Sequence, residues 1–142
     1  MLMAGLRRRH TFADAVRDIP AQWPEYDALG EIPARVDAIE YGVECGANAE
    51  SFEYMCAAHV ADFASLPPHF HRIRVPAARY AVFEHADHIG TLHATWQSIL
   101  HDWFPNSEFR SAQTPDFERY DARFDGKTGL GGLEIWISVV SR

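Results

Sequence analysis

The run YAVFEHADHIGTLHATWQSILHDWFP, Tyr80 to Pro105, constrains the chain more than any other stretch. Tyr80 to His85 alternates as a half-buried strand does. The chain then passes into a segment whose apolar residues recur at helical spacing: Ile89, Leu92, Trp96, Ile99, Leu100 and Trp103. Asp87 stands where an N-cap is expected, and Pro105 falls just past the expected helix end. Trp96 and Trp103, seven positions apart, lie on one stripe. Two indoles so placed either close a core or wall a cavity for a flat ligand.

The flanking sequence repeats this plan. Met1 to Arg9 reads as a strand. Thr11 reads as the cap of a helix, with Asp14 three residues on and Phe12, Ala15, Val16 and Ile19 as its apolar face. Pro20 predicts a kink or restart there, with a second short helix over Ala21 to Leu29. Ile39 to Cys45 and Phe52 to Val60 read as a hairpin across the polar loop Gly46 to Ser51. Ala61 to Phe70 is a loop and Arg72 to Val75 is extended. Beyond Pro105 a polar connection leads to a strand over Phe117 to Phe124, a glycine-rich turn and a last strand, Leu133 to Val140. Period two puts Leu133, Ile135, Ile137 and Val139 on one face of that strand and Glu134, Trp136 and Ser138 on the other.

The order strand–helix–strand–strand therefore occurs twice. Leu6 to His10 before a helix with Trp23 echoes Ala81 to His85 before a helix with Trp96. The reading is an α+β fold in one domain, residues 1–142, built from duplicated βαββ units whose halves are about 1–66 and 67–142. Such a duplication gives a pseudo-twofold antiparallel sheet with two helices on one face. The groove between the helices is then the natural ligand site.

Charge and composition narrow the function. A net charge of −7 argues against a nucleic-acid surface, and Arg7 to Arg9 is too small a cluster to reverse that. No apolar run reaches the roughly 20 residues of a membrane span and no signal-peptide pattern opens the chain, so the expectation is a cytoplasmic protein. The hairpin register sets Cys45 opposite a residue near Glu53, out of reach of Cys56, which predicts reduced thiols. There is no Cys-x-x-Cys and no nucleophile elbow. The eight histidines include His69-Phe70-His71 and the group His85, His88 and His93, but none pair at i, i+4 on a helix with a cysteine to join them. Neither a metal nor another cofactor is expected.

The motifs YAVFEH, TW, ILHDWFP, PDFERYD and GLEIWISV, with YGVEC and FEYMCAAHV upstream, together resemble the GyrI-like small-molecule-binding domain, also called the AraC-type effector-binding domain. The resemblance covers nearly the whole chain. It implies the GyrI-like, SOUL-type architecture and the sensing of hydrophobic, often cationic compounds, here by a free-standing member. Three positions depart from the usual pattern: Ser138 stands where proline is customary, Phe104 replaces a leucine before Pro105, and the region before Met3 is short.

The chemistry expected of such a pocket is an aromatic cage around a carboxylate. Each ring can add roughly 0.5–2 kcal/mol through cation–π contact. Glu118 and Tyr120 share one side of their strand, as do Glu134 and Trp136. Glu118 is the first candidate for the central carboxylate and Glu134 the second. Trp96, Trp103, Tyr54, Phe83, Tyr120 and Trp136 are candidate walls, any of which could equally be core. Two other functions stay open. A hydrolase of electrophilic compounds would use Glu118 as base and Tyr120 as proton donor. A protein-interaction module would serve as an inhibitor or as the effector subunit of a transcription regulator. An exposed sheet face or edge could also pair two copies.

Overall fold

The computed structural model describes all residues, Met1–Arg142. The chain forms two compact units, Met1–Ala77 and Ala78–Arg142.

The first unit contains strands β1 (Leu2–Thr11), β2 (Glu40–Cys45), β3 (Ser51–Val60) and β4 (His71–Arg74), with helix α1 (Ala15–Asp27). Its sheet runs β4-β1-β3-β2, each neighbour antiparallel. Cys45 lies opposite Glu53 and Gly42 opposite Cys56, and neither cysteine forms a disulfide, as the hairpin register requires. Leu2, Ala4 and Leu6 of β1 join Phe52, Tyr54, Cys56 and Ala58 of β3 in one core. Ala15, Ile19, Trp23 and Tyr26 of α1 pack on it. Gly5 allows the close approach of β1 to β3, because a Cβ there would collide with the Cys56 carbonyl oxygen.

Helix α1 corrects two expectations. It starts at Ala15, because β1 continues through Thr11. The Thr11 hydroxyl accepts from the Asp14 amide at 3.2 Å, in the turn before the helix. Phe12 and Val16, assigned to the apolar face, are exposed. The helix also runs unbroken through Pro20 and Pro24. Val16, Pro20 and Pro24 form an i, i+4, i+8 stripe that faces water. The Val16 and Pro20 carbonyls left without N–H partners can therefore be hydrated, and no restart is needed.

The second unit contains β5 (Arg79–His85), α2 (Leu92–Ser98), β6 (Phe109–Ser111), β7 (Asp116–Tyr120) and β8 (Leu133–Ser141). Both β5 and β7 pair antiparallel with β8, and β6 pairs with its far end. In each unit the strand before the helix thus pairs with the last strand of its βαββ set, which pairs in turn with the middle one. This is the duplication read from the sequence. The polar connection after Pro105 contains β6, which the reading missed. The strand expected to reach Phe124 ends at Tyr120, where Asp121 turns the chain by accepting from the Arg123 amide at 2.9 Å.

The helical segment of this unit changes pitch along its length. A 3₁₀ turn (Ile89–Thr91) precedes α2, a π-turn (Ile99–Trp103) follows it, and a terminal turn spans Phe104–Asn106. The cap is His88, whose Nδ1 accepts from the Gly90 amide at 2.9 Å, rather than Asp87, which accepts from the His88 amide. Pro105 lies within the terminal turn instead of beyond the helix. Its ring would crowd the His101 carbonyl in a regular α-helix, and the π-turn widens the ladder at that place. No helix is long and apolar enough to cross a membrane.

Candidate functional site

The β7–β8 register determines which candidates can meet. Glu118 stands opposite Ile135 and Tyr120 opposite Leu133, so both carry their side chains on the face that α2 covers. Phe117 pairs with Trp136 and Arg119 with Glu134 on the other face. The alternation read from the sequence therefore divides the candidate residues into separate groups.

The first group is Trp96, Glu118 and Tyr120, which are 7%, 4% and 7% exposed. The Trp96 Nε1–H donates to one carboxylate oxygen of Glu118 at 2.9 Å, and the Tyr120 hydroxyl donates to the other at 2.9 Å. Two neutral aromatic donors thus hold a buried carboxylate in a fixed orientation. Trp96 comes from α2, which packs on Ile135, Ile137 and Val139 of β8. The indole is core and hydrogen-bond donor at once. Phe124 folds back edge-on to Tyr120 at 5.1 Å, an aromatic neighbour the sequence reading placed on the strand instead.

A second group, Phe83 and Trp103, lies with Ile99 along a groove of about 480 Å³. Phe83 meets the Trp103 ring edge-on at 4.8 Å. Trp103 also stacks on Phe109 of β6, at 6.2 Å and 21°. A third group, Glu134 and Trp136, occupies the opposite face of the sheet. There Glu134 accepts from Arg119 Nη1 at 3.4 Å and from Trp136 Nε1 at 3.3 Å. Trp136 stacks on Phe117 at 5.4 Å and meets Tyr80 at 5.4 Å. Tyr54 belongs to the first unit, buried beneath α1, with Trp23 and His10 edge-on to its ring.

Two polar devices fix the frame around the buried carboxylate. At the end of β5, the buried His85 bridges to the helix start. Its Nε2 faces the His88 carbonyl at 2.8 Å and its Nδ1 faces the Thr95 hydroxyl at 2.8 Å. A carbonyl can only accept, so Nε2 carries the proton. From β8, Ser138 donates its amide at 2.8 Å and its hydroxyl at 3.0 Å to Oδ1 of Asp116 at the start of β7. The residue that departs from the family's proline thus supplies two donors that proline lacks. Burial pushes the Asp116 carboxyl up to about 6, with the two Ser138 bonds pulling the other way. The sequence reading did not single out Asp116.

The sequence profile of a family described as Cass2, integron-associated effector binding protein, matches residues 1–139. Three solved structures share the fold. An integron cassette protein from the mobile metagenome of Vibrio cholerae superposes with a TM-score of 0.70 at 19% identity, over 99% of this chain and 90% of that one. The protein SAV2435, solved bound to tetraphenylphosphonium, gives 0.76 at 17% identity, over 99% and 88%. A putative transcription regulation protein from Staphylococcus aureus MU50 gives 0.71 at 18%, over 98% and 92%. No characterised protein matches the chain by sequence comparison.

Proposed function

Because the chain belongs to the Cass2 family of integron-associated effector binding proteins, we propose that it binds hydrophobic, cationic small molecules at the Glu118 carboxylate. The observation that carries this reading is the pair of bonds by which Trp96 and Tyr120 hold that buried carboxylate. Both donors are neutral and hold the group in a fixed orientation. The charge and the aromatic faces beside it suit a delocalised organic cation, which sheds its hydration more readily than a small ammonium ion does. The similar structure with tetraphenylphosphonium bound supports the same ligand class.

The test is titration with tetraphenylphosphonium, compared with the neutral triphenylphosphine oxide. Glu118→Gln removes the charge and keeps one acceptor: its Oε1 can accept from the Trp96 Nε1–H while its Nε2 donates to the Tyr120 hydroxyl oxygen. The expected result is a loss of about tenfold to a hundredfold in affinity for the cation and little change for the neutral compound. Equal losses for both would mean that Glu118 serves the shape of the site and not its charge.

A further inference from the structure

The duplication extends from the strand order to single side chains. In the second unit Glu118 on β7 stands opposite Ile135 on β8, and Ile135 stands opposite Phe83 on β5. In the first unit Glu44 on β2 stands opposite Tyr54 on β3, and Tyr54 stands opposite Arg8 on β1. Phe83 and Arg8 each lie two residues before a buried histidine, and each histidine ties its strand to the helix. His85 bonds through Nδ1 to the Thr95 hydroxyl at 2.8 Å, and Trp96 follows Thr95. His10 donates from Nε2 to Gln22 Oε1 at 2.6 Å, and Trp23 follows Gln22. The Gln22 amide nitrogen donates to the Leu6 and Tyr54 carbonyls, so its oxygen faces the imidazole as acceptor. Glu44 thus holds in the first unit the place that Glu118 holds in the second, and Trp23 holds the place of Trp96.

We propose that Glu44 is a second carboxylate that binds lipophilic organic cations, with the Trp23 and Tyr54 rings as its aromatic partners. The inference rests, through the duplication, on the reading of Glu118. Tyr54 packs on the face that α1 covers, and Glu44, directly across the ladder from it, shares that face. Trp23 meets the Tyr54 ring edge-on at 6.3 Å and the Tyr26 ring at 5.7 Å. Glu44 and Trp23 are both half-buried, so a ligand can reach them from solvent. Glu40, the other acid on this face of β2, is occupied by the Tyr26 hydroxyl at 2.8 Å and by Arg35 at 2.8 Å. Arg8, the basic residue on the Glu44 row, is paired with Glu25. A carboxylate beside aromatic rings suits a delocalised cation here for the same reason as at Glu118.

Calorimetric titration of the intact protein with tetraphenylphosphonium, beside the neutral triphenylphosphine oxide, tests this. Glu44→Gln weakens the cation about tenfold and leaves the neutral compound little changed. Glu44→Thr repeats the test with a second neutral side chain, one that suits a strand. Glu44→Asp, which keeps the charge on a shorter stem, retains most of the affinity. Glu31→Gln removes one charge at an exposed position beyond α1 and changes neither affinity, which separates a local partner from net charge. Thermal unfolding without ligand checks that each variant is folded. If both neutral Glu44 variants bind the cation as the parent does while Glu118→Gln weakens it, Glu44 falls and the Glu118 reading stands. If the Glu44 variants weaken it and Glu118→Gln does not, Glu44 stands and the Glu118 reading falls. Equal losses for the cation and the neutral compound, or a matching loss with Glu31→Gln, also overturn Glu44 as a charge partner.

Discussion

The hydrogen bond from Trp96 to Glu118 can be weighed by substitution. Trp96→Phe keeps most of the buried ring and removes the Nε1–H that donates to the carboxylate. It should cost about 1–3 kcal/mol in chemical denaturation. Trp96→Ala adds a cavity in the β8 core and should cost about 3–5 kcal/mol. If Trp96→Phe proves neutral, another donor replaces the indole and its bond is not what holds Glu118. Asp116 gives a prediction in pH. Its folded value of about 6 lies above the 3.8 of an ordinary aspartate. Its stabilising contribution is therefore complete below the unfolded value and is lost as pH rises through about 6. The loss at neutral pH is roughly 3 kcal/mol. Asp116→Asn retains the acceptor for Ser138 and should be more stable than the parent at pH 8, with the advantage shrinking toward pH 4. An advantage that does not vary with pH would show that Asp116 does not titrate in this window.

Among the elements, α1 carries two internal prolines that the fold accommodates, and β8 carries a serine that anchors Asp116. The α1 prolines lie on its wet stripe, so Pro20→Ala would restore the bond to the Val16 carbonyl without disturbing the buried face. The bond and the better helix propensity outweigh the freedom regained by the unfolded chain, for a gain of about 1 kcal/mol. Thermal unfolding would register it as an increase of a few degrees, and a fall would mean that the α1 packing depends on Pro20. In β8 the opposite exchange is instructive. Ser138→Pro installs the family's customary residue but deprives Asp116 of two donors. A cost of about 2 kcal/mol is expected at pH 8, where the carboxylate is ionised, and less at pH 4.

At the scale of the molecule, charge and linkage dominate. A net charge of −7 repels polyanions. Duplex DNA at moderate salt should therefore not be retarded by the protein in a gel. A ligand that binds only the folded state stabilises it by about 2.7 kcal/mol at one hundred times Kd. Saturating tetraphenylphosphonium should accordingly raise the unfolding midpoint by several degrees, and Glu118→Gln should reduce that shift. No shift in the parent protein would remove the basis for the proposed function.

Alternation in β5, β7 and β8 was legible in the chain, because a period of two needs no tertiary information. It put Glu118 with Tyr120 and Glu134 with Trp136 before any coordinates. The hairpin register that separates the two cysteines was legible for the same reason, and the spaced motifs pointed to the family. What the chain could not disclose was which face of each strand receives a helix and where a helix changes pitch. Those depend on contacts between residues far apart in sequence. Only the folded packing of α2 on β8 brings the Trp96 indole to the Glu118 carboxylate, 22 positions away. Only the folded packing sets the Trp103 ring edge-on to Phe83, while Trp96 reaches Glu118. Local periodicity determined the faces, and long-range packing decided which of them meet.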